Sequence, residues 1–293
     1  MPSLRDVRRR IRSVQNTRQI TKAMEIVAAT RMRRAQNRME ASRPYAQKLD
    51  EVLATVAQRV REVKHPYIIE RQPIKNVCMI LVTTDRGLCG SLNSNIIRKA
   101  VEVIRDYTSS PEFVTIGRKG RDFIRRYYGG VVAEVTGISE KPDYDAMLPC
   151  VEVAESDFLS GKVDAVFVAY ARYVSTVRQE PVVERLIPVP QAELQADSVR
   201  ASEYIYEPDA ESLLSKLLPR YVEAKVYHAL LETSACEQAA RMVAMRNASD
   251  NAEELIRDLI LYANKIRQDS ITKELMEISA GAEALRKSRE MMT

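Results

Sequence analysis

The stretch TRQITKAMEIVAATRMRRAQ, residues 17–36, decides how the rest of the chain is organised. Its apolar residues recur at spacings of three and four, which is the pattern of one face of an α-helix. Neither proline nor glycine occurs from Ser3 to Arg43, and Pro44 alone interrupts the pattern before Pro66. A single proline bends a helix without always ending it. The sequence therefore predicts one helix of about sixty residues, roughly 90 Å long.

A second long helix is predicted between Pro219 and Gly281, because no proline or glycine lies between them. Neither long helix can bury an apolar face alone, so the two are predicted to pack as an antiparallel, irregular coiled coil. The face of the first helix comprises Leu4, Val7, Ile11, Val14, Ile20, Met24, Val27, Ala35, Met39, Ala46, Leu49, Leu53, Val56, Val60 and Val63. The face of the second comprises Val222, Val226, Leu230, Cys236, Ala240, Val243, Leu255, Leu259, Tyr262, Ile266 and Met276.

The middle of the chain alternates between strand-like and helix-like segments. Strands are predicted at NVCMILVTT, FVTIG, VVAEVTG and DAVFVAYARYV, and helices at SLNSNIIRKAVEVIRDY, GRDFIRRYY and DAMLPCVEVAESDFL. This alternation predicts a mostly parallel, doubly wound sheet. The segment QEPVVERLIPV contains prolines, which cannot donate to a strand ladder, so it is predicted to be an edge strand.

The predicted fold class is therefore α/β plus long helices: an antiparallel coiled coil of the N- and C-terminal helices with an inserted Rossmann-like α/β domain. Residues 1–66 are predicted to form the first coiled-coil helix and residues 74–190 the Rossmann-like domain. Residues 191–219 are a polar connection, and residues 220–293 form the second coiled-coil helix.

The basic charge is concentrated at the N-terminal end of the chain. The net charge is +5, and residues 1–43 contain twelve Arg and Lys against three Asp and Glu. This excess indicates an acidic partner surface or a solvated basic face. A DNA-reading basic region is the rival interpretation, but such a region is free of the dimer seam. Here the apolar face at Ile20, Met24 and Val27 runs through the basic segment, so nucleic acid is not an expected partner.

The cysteines and the hydropathy pattern indicate the compartment. The four cysteines are far apart and form no CxxC pair, and the first dozen residues are charged rather than apolar. Reduced thiols in a cytosolic compartment are therefore expected. No run of 18 apolar residues is present, so no membrane-spanning segment is expected.

The segment TDRGLCGSLN, residues 84–93, follows a predicted strand and opens a predicted helix. That is where α/β folds bind phosphates, but the segment matches neither GxGxxG nor GxxxxGK[ST]. Ser91 is equally well explained as a helix N-cap and Gly90 as a turn residue. Arg86 and a helix start would lower the pKa of Cys89, yet no local base is present, so a structural thiol is favoured.

No other cluster has the pattern of a catalytic or metal site, and neither a metal nor a cofactor is expected. The two histidines, His65 and His228, are interpreted as structural residues. The acidic residues Asp143, Asp145, Glu152, Glu155 and Asp157 fall at helical spacings and are interpreted as a solvated helix face.

The segments quoted above, with others at both ends, resemble one family over the whole chain: the γ subunit of the F-type ATP synthase. The N-terminal part of the resemblance is RRIRSVQNTRQITKAMEIVAATRMRRAQNRM and SRPYA, and the central part is TTDRGLCGSLN. The C-terminal part is YIYEPD, EQAARMVAMRNASDNAEELI and IRQDSITKELMEISAGAEAL. The cysteine-bearing insertion of chloroplast members is missing, so the chain is most similar to bacterial members.

The resemblance implies a central-stalk rotor that is not catalytic by itself. In this family the paired helices turn inside a ring of α and β subunits, and the globular domain contacts the ε subunit and the ring of c subunits. Ion flow through the membrane drives ATP synthesis, and ATP hydrolysis reverses the rotation. Membrane association is implied only through the complex, at the cytoplasmic face of the bacterial cell membrane.

The resemblance also implies roles for individual residues. Met24, Arg267, Gln268 and Thr272 are implied to contact a β subunit, and Tyr204, Tyr206 and Glu207 the c-ring. The alternative hypothesis is a nucleotide-binding α/β domain whose long helices serve for oligomerisation, and the turn at Gly87 and Gly90 supports it.

Overall fold

The structure is a computed structural model that describes residues 3–59, 65–107, 111–190 and 209–290. The chain divides into two compact units. Unit 1 comprises Met1–Ile26 and Met245–Thr293, and unit 2 comprises Val27–Ala244. The helices and strands of the described residues are, in chain order, α1 (Leu4–Arg59), β1 (Val77–Val82), α2 (Leu92–Ile104), β2 (Glu112–Ile116), α3 (Arg118–Tyr127), β3 (Ala133–Val135), α4 (Tyr144–Leu159), β4 (Ala165–Tyr173), β5 (Gln179–Ile187) and α5 (Ala210–Glu290).

Unit 2 contains a five-stranded sheet in the order β3-β2-β1-β4-β5. The first four strands run parallel, and β5 runs antiparallel to β4 at the edge. Ile80 of the central strand β1 pairs with Val114 of β2 and with Val168 of β4. The predicted mostly parallel sheet and its proline-containing edge strand are confirmed.

Successive residues of β1 pack against opposite layers, because side chains alternate across a strand. Val77, Met79 and Leu81 belong to a core shared with α2 and α3, which includes Ile96 and Ile124. The other face packs against α4 and against parts of α1 and α5. The buried residues of that second core include Cys78, Ile80, Val82, Leu53, Val56, Met147, Val151, Phe158, Leu218, Val222 and Val226. The sheet is thus covered on both faces, as a doubly wound fold requires.

The buried side of α1 differs from the predicted face in its N-terminal half. Thr21 and Ala28 are 8% and 1% exposed, whereas the predicted face residues Ile20 and Val27 are 60% and 51% exposed. Buried and half-buried positions instead recur in two series whose members are separated by multiples of seven. The first series is Val7, Val14, Thr21, Ala28, Ala35, Ser42, Leu49 and Val56, and the second is Leu4, Ile11, Glu25, Met32, Met39, Ala46 and Leu53. The spacing is the regular heptad of a coiled coil.

The second long helix begins earlier than the sequence predicts. α5 starts at Ala210, and Pro219 lies within it. The Asp209 carboxylate accepts a hydrogen bond from the Ser212 backbone N–H at 2.7 Å, and this is the geometry of a helix N-cap. The cap supplies an acceptor for the first turn, so the helix forms ten residues before the boundary that was predicted at residue 220.

Candidate partner-binding surfaces

Unit 1 pairs the first residues of α1 with the residues of α5 that follow Met245. An ion pair of 2.9 Å between Arg18 and Glu253 joins the two helices. Glu253 also pairs with Arg257 at 3.0 Å, and Arg257 and Arg18 together lower the pKa of the Glu253 carboxyl. The buried or half-buried residues of α5 in this seam include Met245, Ser249, Ala252, Ile256, Leu259, Ala263 and Ile266.

This seam confirms part of the predicted face of α5. Leu259 and Ile266 are half-buried. Leu255 and Tyr262, which were predicted to lie on the same face, are 40% and 42% exposed. The small residues Ser249 and Ala252 occupy the seam instead, at 5% and 8% exposure. Small side chains fill the narrow space between closely packed helices, so side-chain size as well as hydrophobicity decides which residues occupy the seam.

Residues 267–282 of α5 have no buried side. Ile266 is half-buried, but every residue from 267 to 282 is exposed. We call this segment the α5 tip. Its large apolar side chains are 49% to 70% exposed, and they are Ile271, Leu275, Met276 and Ile278. Met276 was therefore wrongly predicted to lie on the coiled-coil face. Four large apolar side chains exposed on one short segment make the α5 tip a candidate interaction site.

The predicted β-subunit contacts fall at two separate places in unit 1. Arg267, Gln268 and Thr272 are exposed on the α5 tip, and Met24 is half-buried on α1. Since Arg18 faces Glu253 in an antiparallel pair, Met24 stands near position 247 of α5. That position is about twenty residues, or roughly 30 Å, from Arg267 along the helix. The residues predicted to contact the c-ring, Tyr204, Tyr206 and Glu207, lie outside the described residues.

In unit 2, the loop that follows β1 is organised around Asp85. Its carboxylate accepts backbone hydrogen bonds from Gly137 at 2.9 Å, Ser139 at 3.1 Å and Arg118 at 3.1 Å. Burial alone raises the pKa of Asp85, but the hydrogen bonds from Gly137, Ser139 and Arg118 outweigh it and lower the pKa. The Asp85 carboxylate is thus the anion that these three backbone donors bind.

The first backbone donors of α3 are also bonded within the chain. Arg118 donates to Asp85, Lys119 donates to the carbonyl of Thr84 at 3.0 Å, and Gly120 donates to Oγ1 of Thr83 at 2.8 Å. A phosphate beside this loop would be repelled by the Asp85 carboxylate and would find these α3 donors already bonded. The geometry of this loop thus argues against the nucleotide-binding hypothesis.

The thiol of Cys89 lies inside this loop and is 2% exposed. Burial raises its pKa, with a weaker opposing effect from Thr84. The side-chain amide of Asn93 lies 3.3 Å from its sulfur. Ser91 occupies the N-cap position of α2 without a capping side-chain bond, and Gly90 has a φ of 60°. These facts support the interpretation of Cys89 as a structural thiol and of Gly90 as a turn residue.

The same loop contacts α5 through Arg241, which also forms a buried ion pair within α5. This pair was not anticipated from the sequence. Arg241 pairs with Glu237 at 2.6 Å and donates a second hydrogen bond to the carbonyl of Gly87 at 3.2 Å. The Glu237 side chain is fully buried and that of Arg241 is 8% exposed. Burial raises the pKa of Glu237, and Arg241 opposes the rise. The i, i+4 spacing of the two residues was visible in the sequence, but their burial was not.

A second charged group joins this region to α1. The carboxylate of Glu140 lies 2.9 Å from Arg31 of α1 and 3.1 Å from Arg86 of the loop. Glu140 follows Ser139, whose backbone is bonded to Asp85. The loop and its neighbours thus contact both long helices within unit 2.

The acidic residues of α4 do not form the uniform solvated face that was predicted. Asp143 is the N-cap of α4 and accepts from the N–H of Asp145 at 3.1 Å. Glu155, in contrast, is 8% exposed. Burial and the neighbouring Glu223 raise its pKa to about 7, while a hydrogen bond from Tyr67 opposes the rise. The interpretation was wrong for Glu155, because this side of α4 packs against the core.

Across the described parts of the chain, no group of three or more His, Cys, Asp and Glu side chains is arranged to hold a metal ion. No helix among the described residues combines the length and the apolar character needed to cross a bilayer.

Comparison with known sequences gives a consistent result. The model of a family described as ATP synthase matches residues 3–285. A protein of Dehalococcoides mccartyi described as ATP synthase gamma chain is 50% identical over 287 residues, covering 97% of this chain and 100% of that protein. One of Dechloromonas aromatica with the same description is 44% identical over 292 residues, with the same coverage.

Comparison with solved structures agrees. A chain from the central stalk and c-ring structure of the Tetrahymena thermophila mitochondrial ATP synthase has a TM-score of 0.59 and 27% identity, covering 78% of this chain and 99% of that one. A chain from the Euglena gracilis mitochondrial ATP synthase has a TM-score of 0.66 and 17% identity, covering 98% of this chain and 95% of that one. The second likeness shows the fold alone.

Proposed function

The chain belongs to the γ-chain family of ATP synthases, and we propose that it works by turning inside a ring of α and β subunits. It is a non-catalytic subunit of the central stalk in a membrane-associated complex. Rotation of the c-ring by ion flow turns this shaft, which drives the catalytic β subunits through successive conformations. ATP hydrolysis in the β subunits turns the shaft in the reverse direction.

The exposed α5 tip is the observation that carries this proposal. A single helix with apolar side chains exposed over residues 267–282 is unfavourable in water unless a partner covers it. A ring of subunits around the helix would cover all of its sides at once. Weak apolar contacts are non-directional and let a helix turn without being held at one angle.

We assign the polar residues of the tip to contacts with a β subunit. Arg267, Gln268 and Thr272 are exposed and present hydrogen-bonding groups that are suited to bonds that form and break during each turn. Met24 is assigned to a second β contact, roughly 30 Å away along the shaft. The exposed Ile20, at 60%, lies one helical turn from Met24 and extends this apolar surface.

The remaining partners are proposed for the middle of the chain. Tyr204, Tyr206 and Glu207 are assigned to the c-ring, and the α/β domain to the ε subunit. Membrane association is proposed to occur only through these partners, at the cytoplasmic face of a bacterial cell membrane.

Reconstitution with α and β subunits tests the proposal directly. The four native cysteines are all buried, so an introduced Val177→Cys thiol, at a position that is 79% exposed, accepts a bead selectively. Directional, stepwise rotation of the bead under ATP is expected. Binding to the ring without rotation would instead make the chain a static scaffold, and absence of binding would overturn the assignment altogether.

A further inference from the structure

We propose that Arg241, Glu237 and the loop of residues 84–90 form a torque latch, which transmits twist between the α/β domain and the two long helices. Glu140, Arg86 and Arg31 are its second half. The inference rests on the proposed rotary function and adds to it the residues through which force enters the helices. Arg241 is a positioning residue in this scheme, because it acts by holding the loop.

The latch joins the sheet at its central strand. The loop directly follows β1, which is paired with a parallel strand on each side. Force applied to the loop therefore passes into the middle of the sheet rather than to an edge strand. The carbonyl of Gly87 accepts the Arg241 hydrogen bond at 3.2 Å, so one buried side chain connects α5 directly to the backbone of the loop.

The latch also differs from the surrounding contacts between the α/β domain and the long helices in the kind of interaction that it makes. The rest of the α/β domain packs against the long helices mainly through apolar side chains, including Leu218, Val222 and Val226. Apolar contacts are non-directional and resist sliding weakly. The hydrogen bond from the Arg241 guanidinium to the Gly87 carbonyl is charge-assisted and directional, and the buried Glu237 carboxylate, 2.6 Å away on the same helix, orients that guanidinium. The latch therefore resists twisting where apolar packing alone does not.

The latch also holds both long helices from one place. Glu140 contacts Arg31 of α1 and Arg86 of the loop, while Arg241 extends from α5 to the same loop. Twisting the helix pair against the sheet would stretch both contacts together. Two anchors on two helices define an angle, which a single anchor does not.

The test compares three variants in the complete assembly. Arg241→Met removes the charge and the Gly87 bond while it keeps the length of the side chain. Arg241→Met combined with Glu237→Gln also removes the carboxylate that would otherwise be left buried and unpaired. Arg257→Met is the matched control, because Arg257 forms an i, i+4 pair with Glu253 on the same helix but is 74% exposed.

The readouts are thermal stability, the rate of ATP hydrolysis, and the angular fluctuation of a bead on the α/β domain while the ring of α and β subunits is stalled. The single variant is expected to lose stability, because it leaves a buried charge. The double variant is expected to regain most of that stability. In both variants the variance of the bead's angle should rise roughly twofold or more. A change of this size is typical of residues that alter the coupling between two distant sites without contacting the ligand of either. Arg257→Met should match the wild type.

A double variant whose stability and angular variance both return to wild-type values would overturn the latch, because Arg241 would then serve folding only. Unchanged variance in the single variant would do the same. If the wild-type chain itself fails to rotate, the rotary function is wrong. If the wild type rotates and the variants show an unaltered angular variance, the latch is wrong and the rotary function still stands.

Discussion

Single buried groups set the pH response of unit 2, and Glu155 is the clearest of them. Its pKa is raised to about 7 because burial and the nearby Glu223 disfavour the charged form. The folded state therefore holds a proton that the unfolded state has released above a pH of about 4.5. Folding stability accordingly falls as the pH rises from about 4.5 to about 7, and the full cost is present above pH 7.

Glu155→Gln removes this cost, so the variant should be more stable than the wild type at pH 8. The expected gain is roughly 1–3 kcal/mol at pH 8 and vanishes near pH 4. Urea unfolding at both pH values measures it. Glu152→Gln, at an exposed position of the same helix, is the control and should change little. A gain of equal size at both pH values would show that the charge of Glu155 is not the cause.

Gly117 is a residue whose side chain would not fit. Its φ is 102°, and an added Cβ would lie 2.1 Å from the Thr83 carbonyl oxygen. Gly117→Ala should therefore destabilise the chain by roughly 2–4 kcal/mol, through strain and displacement of the β1 end. Thermal unfolding measures the loss. Gly130→Ala is the matched control, because nothing lies within 4 Å of its Cβ position and its φ is not in the left-handed region. Equal effects would contradict this account.

At the scale of the elements, side-chain size explains why the predicted coiled-coil face of α1 was partly wrong. The strands and short helices of the α/β domain were predicted correctly, since runs such as the buried VCMILV have an unambiguous pattern. The coiled-coil register was missed because Thr21 and Ala28 occupy the seam, while the larger Ile20 and Val27 face outward. A search for large apolar residues selects the outward face when that face carries the larger apolar side chains.

This register makes a prediction for a matched pair of substitutions in unit 1. Val7→Gln places an amide in the seam, where Val7 is 4% exposed, and should cost roughly 2–3 kcal/mol. Ile20→Gln, at 60% exposure, should leave the stability of the isolated chain within about 0.5 kcal/mol. Denaturant titration of the two variants decides between the registers. The face predicted from the sequence contains both Val7 and Ile20, so a loss for Ile20→Gln as large as that for Val7→Gln would restore it.

At the scale of the whole molecule, the fold followed from periodicity but the residues proposed to contact a β subunit did not. Arg267, Gln268 and Thr272 are exposed, and nothing in their spacing distinguishes them from other surface residues of a long helix. Only the resemblance to a family pointed to them. The physical reason is that a rotor acts on its partners, so its contact residues are shaped by surfaces that its own sequence does not contain. The buried charges of the latch were missed for the opposite reason, since burial depends on the folded neighbours.

The exposed α5 tip separates folding from function, and truncation tests that separation. A chain that ends at Ile266 loses only residues whose described side chains are exposed, so its melting temperature should change by less than roughly 2 °C. Its affinity for the ring of α and β subunits should fall by on the order of tenfold or more, because the apolar anchors are gone. Differential scanning calorimetry and a pull-down titration measure the two effects.

A full-length variant with Ile271, Leu275, Met276 and Ile278 replaced by Gln separates the apolar from the polar part of the tip. Binding that is weakened as much as by truncation would assign the affinity to these four side chains. Retained binding with impaired rotation would instead assign affinity to Arg267, Gln268 and Thr272. A large drop in melting temperature on truncation would show that the tip packs on its own chain, and the argument that a surrounding ring covers it would then fail.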